Sequence, residues 1–95
     1  IMSLNTLHTQ AAQRENVFFE QGVIPEVSEF DNHEIHIEEH MRYILQMDFR
    51  ILKMKKPEWA AVLERHIKEH QNAAAQAAAA AMTAVMNNSE FGMRN

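Results

Sequence analysis

Asp31-Asn32-His33-Glu34-Ile35-His36-Ile37-Glu38-Glu39-His40 opens a helix, and its last five residues return later as His66-Ile67-Lys68-Glu69-His70. In each copy the histidines stand at i and i+4, one above the other on a single helical face. Five of the six histidines belong to these two phrases or, at His33, just precede the first. Asp31 has the chemistry of an N-cap, and Glu34, three residues on, completes an acidic capping box. Phe30 and Ile35 are spaced as a hydrophobic staple across that start.

Outward from this start, Ile37, Met41, Ile44, Leu45 and Leu52 form an apolar stripe. A second row runs beside it through His33, His36, His40, Tyr43, Met47, Arg50 and Met54, in steps of three and four. Together they predict one helix over 31–54 with a face wide enough to meet two neighbours. Lys55-Lys56-Pro57 ends it and starts the next, because proline disfavours helix before itself and fits the first turn after. That next helix, 57–86, turns Trp59, Val62, Leu63, His66, Ile67 and His70 inward. It continues through the alanine tract, alanine being the strongest helix former. Asn87-Asn88-Ser89 is the expected stop, with a frayed tail over 87–95.

Before the first phrase, Leu4, Leu7, Ala11 and Phe18 recur at helical spacing, predicting a helix over 3–21 with Gly22 as its stop. Residues 22–30 hold Pro25 and alternate apolar with polar side chains. They are expected to be an extended linker or a lone edge strand. The expected fold is all-α: one N-terminal helix, an extended linker, then a long antiparallel helical hairpin.

Ninety-five residues suffice for one small domain, and alanine inflates the 46% hydrophobic content while burying little area. Such a chain is expected to gain stability by packing against neighbours. The net charge of −4 comes with no cationic stripe for nucleic-acid phosphates, and Lys53, Lys55 and Lys56 fit a helix C-terminus better. Without cysteine there are no disulfides, thiolate zinc sites or cysteine nucleophiles. No apolar run reaches the length of a membrane span, and no secretory signal is visible. The opening Ile1-Met2-Ser3 suggests a piece of a longer polypeptide.

Paired histidines on two facing helices are a known way to gather imidazoles around zinc, which makes His36, His40, His66 and His70 candidate ligands. With a turn centred near Met54 and Lys55, His40 and His70 stand level. The two pairs are then offset by roughly 4–5 Å at ~1.5 Å per residue. A His40–His70 contact is expected, and four-histidine closure requires a shifted turn. The competing reading is a set of partly buried histidines, hydrogen-bonded to glutamates or backbone. Both phrases match the His-x-x-Glu-His peptidase pattern. Such enzymes need a third ligand and a cleft, so Glu39 and Glu69 read better as solvated residues or as partners of Arg42 and Arg65. No other catalytic constellation is present, and the chain is not expected to be an enzyme.

Three stretches carry a family likeness: Arg14-Glu15-Asn16, then Gly22 and Val27 through His40, then His66 to His70. They resemble the C-terminal part of tailed-bacteriophage portal (head-to-tail connector) proteins. In these a helix with an Arg-x-Glu-Asn-like phrase leads to an Asp-Asn/Asp-His-x-x-His-Ile-x-x-His run and then a second His-Ile-x-x-His. The likeness spans Arg14 to Gln71, about 60% of the chain. It implies a structural subunit segment of a portal ring, usually dodecameric, through which double-stranded DNA is packaged and ejected without specific binding. Capsid, terminase and head-completion proteins are the implied partners. The implied location is the virion, and the host cytoplasm during assembly. It also implies that Arg14, Glu15, Asn16, Asp31 and His33 specify helix packing together with the paired histidines. The alternative is a metal-binding helical hairpin.

Overall fold

The computed structural model describes the backbone of residues 1–93 and the side chains of residues 1–88. It is all-helical: α1 (Leu4–Phe19), α2 (His33–Ile44), α3 (Met47–Lys55) and α4 (Pro57–Met93) follow in chain order. There is no strand among the described residues, and no helix among them is long and apolar enough to cross a membrane.

Ser3 caps α1 by accepting from the Thr6 amide at 3.1 Å. At the other end Val23 N–H donates to the Phe18 carbonyl and Gly22 N–H to that of Phe19. Gly22 at φ +80° supplies the left-handed residue this closure needs. A Cβ there would also meet the Trp59 ring at 2.9 Å. The face α1 buries is not the expected one. Leu4, Leu7, Ala11 and Phe18 are exposed, whereas Ala12 and Phe19 are buried, with His8, Glu15 and Asn16 partly so.

Residues 23–28 carry no regular structure, and Ile24 leans on the core. The turn that follows is wound by Asp31, whose Oδ2 accepts from the Ser28 amide at 2.9 Å. Asp31 is therefore occupied, and the N-cap of α2 is Asn32, accepting from the Ile35 amide at 3.0 Å. Moving the cap by one residue dissolves the staple, and Phe30 is 81% exposed.

The single helix expected over 31–54 is broken. Leu45 closes α2, and Gln46, with extended backbone (ψ 153°), opens α3. The reason lies in Phe49. In a continuous helix at ~100° per residue, Phe49 would point about 120° away from Tyr43. The break brings it back, so that Phe19, Tyr43 and Phe49 from three helices pack with ring centroids 5.8–6.4 Å apart. Ala60, Leu63 and Ile67 of α4 complete this core. The break also strands the far end of the histidine row, and Met47, Arg50 and Met54 are exposed.

Helices α2 and α3 both pack on α4, and α1 packs on α2. Lys53 and Lys55 fall in the last turn of α3, where cations complement the helix dipole. Lys56 stacks on Trp59 at 3.9 Å. Helix α4 does not stop at Asn87-Asn88-Ser89 but continues to Met93. Asparagine and serine cost a helix only a few tenths of a kcal/mol each, too little to end one. Residues 94–95 of the expected frayed tail lie outside the described residues.

Candidate functional site

One helical turn from the aromatic layer, on each of three helices, lies a polar layer. Glu15 precedes Phe19 on α1, His40 precedes Tyr43 on α2, and His66 follows Leu63 on α4. His36, His40 and His70 are fully buried and His66 nearly so. Packing Phe19, Tyr43 and Leu63 against one another carries these polar groups inside with them.

The four paired histidines converge, which corrects the offset expected for the hairpin. His36 faces His70 with ring centroids 4.6 Å apart, and His40 faces His66 at 5.0 Å. The expected His40–His70 approach is wider, at 5.7 Å. The break at Leu45 and Gln46 is the shift that brings the two pairs level.

At the centre stands Oε1 of Glu15. It lies 3.1 Å from His66 Nε2, 3.2 Å from His40 Nε2 and 3.4 Å from His36 Nδ1. His66 Nε2 is also 3.1 Å from His70 Nε2. Glu15, His36, His40, His66 and His70 each offer a ligand atom, and these atoms all lie within 4.8 Å of one another. These are the residues able to hold a metal ion.

A second set of residues engages the outer nitrogens. His40 Nδ1 is 2.7 Å from Asn16 Oδ1, and the Asn16 amide donates to the Glu39 carbonyl at 3.2 Å, which fixes its orientation. His70 Nδ1 is 2.9 Å from His33 Nδ1, and His36 Nε2 is 3.7 Å from Asp31 Oδ1. Asn16, Asp31 and His33 thus border the cluster. Arg14 is exposed. Glu39 is held by Gln13 at 3.0 Å and Arg42 at 3.4 Å, which occupies it as a helix-surface partner rather than a free base.

The charges are strongly coupled. Burial works to raise the Glu15 carboxyl, but its close contacts with the His36, His40 and His66 imidazoles override it and hold the group well below the usual carboxylate range. Burial also opposes charge on His36, yet the Glu15 contact and the Asp31 charge raise its pKa. Burial lowers His40, with His66 and His36 adding to the effect against the pull of Glu15. His70 is pushed down to about 3 by burial and by the neighbouring His66, His36, His40 and His33. One anion is thus shared among imidazoles, with burial disfavouring charge on His40 and, most strongly, on His70.

Spacing alone nominated the histidines. Glu15 and Asn16 entered only through the family likeness, because they interrupt an apparently apolar helix. Each lies three or four residues from both Ala12 and Phe19, on one helical face, and that spacing was the available signal. Comparison with protein-family models, with curated proteins and with solved structures finds no match for the chain.

Proposed function

We propose that the chain is an assembly segment of a bacteriophage portal ring, a structural subunit piece with no catalytic role. One observation carries the reading. Residues from the three portal-like phrases, separated widely in sequence, meet in one layer: the four paired histidines, which are buried, with Glu15, Asn16, Asp31 and His33, which are partly so. The resembling pattern is thus a single physical unit, as a family signature would be, rather than scattered coincidence.

The outer surface favours the same reading. Leu4, Leu7, Ala11 and Phe18 form a stripe on the free side of α1. On α4, Met82, Val85 and Met86 are about 60% exposed. Apolar stripes of this kind are docking surfaces for neighbouring chains. In the ring the segment would meet further copies of itself, with capsid, terminase and head-completion proteins as outer partners. DNA would pass an acidic surface without specific binding. The place of action would be the virion, and the host cytoplasm during assembly.

Native mass spectrometry over a concentration series tests this. A closed homo-oligomer is expected, lost on Leu7→Lys with Phe18→Lys while the helical circular dichroism persists. A strictly monomeric chain at every concentration would overturn the reading.

A further inference from the structure

We infer that Glu15, His36, His40, His66 and His70 form a buried site for one divalent transition-metal ion of the zinc class. The first ground is distance. Donors held 2.0–2.1 Å from an ion lie roughly 2.9 to 3.5 Å from their neighbours in a four- or five-coordinate shell. The measured separations around Glu15 Oε1 and between His66 and His70 are 3.1, 3.2, 3.4 and 3.1 Å.

The second ground is the direction of the lone pairs. Asn16 presents an oxygen to His40 Nδ1 at 2.7 Å, so that nitrogen carries the proton of the neutral ring. Nε2 then aims a bare lone pair at the Glu15 carboxylate 3.2 Å away. Two facing lone pairs repel unless a cation lies between them. His40 Nε2 and both ring nitrogens of His36 are buried and make no hydrogen bond, an arrangement that folded proteins otherwise avoid.

The third ground is the surrounding shell. Histidines that ligate metals turn their other nitrogen to a carboxylate, carbonyl or similar acceptor, which fixes tautomer and ring. Here Asn16 and His33 stand in that place for His40 and His70, and the Asp31 carboxylate lies 3.7 Å from the outer nitrogen of His36. Glu15 and Asp31 together supply two negative charges against a divalent ion. On its outer side His66 lines an open cavity of about 220 Å³ bordered by Glu26 and Glu69.

The donor set selects the ion. Four imidazoles and one carboxylate suit zinc, cobalt or nickel. Magnesium and calcium require mostly oxygen, and the soft ion Cu(I) prefers sulfur. All five donors come from this chain, the four histidines buried and Glu15 partly so, and the ion would staple α1, α2 and α4 together.

The test is zinc titration of the full chain after chelator treatment, followed by native mass spectrometry and thermal melting. One zinc per chain is expected, with Tm raised by roughly 10–20 °C at a hundredfold excess over Kd. His40→Gln and His66→Gln should each weaken zinc by more than roughly 100-fold, and His33→Ala by about 10-fold. Should either glutamine variant fail to fold, cobalt added to the unsubstituted chain decides. Intense visible bands of a four- or five-coordinate nitrogen site support the assignment, and their absence overturns it. Substoichiometric zinc, an unmoved Tm, or full affinity in both glutamine variants would also overturn it, leaving the layer as hydrogen-bonded packing.

Discussion

His40 and Asn16, 24 positions apart, are joined by a 2.7 Å contact between Nδ1 and Oδ1. The asparagine amide is itself locked by its bond to the Glu39 carbonyl. One side chain therefore ties α1 to α2 and chooses the histidine tautomer. Asn16→Ala should cost about 1–3 kcal/mol, because it strands a buried N–H donor. Urea unfolding measures this. An unchanged midpoint would mean that the His40 ring finds another acceptor.

The position of Phe49 explains the break between α2 and α3, and it yields a paired prediction. Phe49→Ala should destabilise by about 3–5 kcal/mol, enough to unfold a marginal domain. Phe30→Ala, at an 81% exposed residue, should change stability by less than about 0.5 kcal/mol. Thermal melts of the two variants side by side test the corrected N-cap as well as the core.

Gln46 begins α3 with the right backbone but makes no side-chain cap. Gln46→Ser should stabilise the chain by about 0.5–1 kcal/mol by accepting from the amides of the first turn. A melt that falls instead would show that the break needs glutamine for another reason.

Tyr43 is pushed up to about 12 by burial, with the nearby Glu20 and Asp48 charges adding to the effect. Its folded value therefore exceeds the ordinary value of about 10. The neutral phenol contributes stability that is fully present below about pH 10 and is lost as pH rises toward 12. Phenolate absorbance should lag that of free tyrosine, and Tyr43→Phe should flatten the alkaline loss of stability.

Much of this was legible in the chain. The i, i+4 histidines, the proline start of α4, the glycine stop after α1 and the inward set Leu63, His66, Ile67 and His70 follow from spacing and backbone chemistry. Three features were hidden. The face of α1 was misjudged because Leu4, Leu7 and Phe18 outweigh Glu15 and Asn16 on any apolar count, whereas a charged cluster draws polar residues inward. The N-cap moved because Asp31 and Asn32 are equally good caps, and only the Ser28 turn decides between them. The break at Leu45 and Gln46 carries neither glycine nor proline. Its one trace is Phe49, a large aromatic that falls in neither helical row.

The tie between Glu15 and His66 joins residues 51 positions apart. Each helix satisfies its own backbone locally and can form early, but this layer closes only after long loops have been brought together. Amide hydrogens should therefore exchange unevenly. Those of residues 36–43 and 60–70 would be protected nearly as long as the domain stays whole. Those of residues 79–88, which are all exposed, would be released by local fraying.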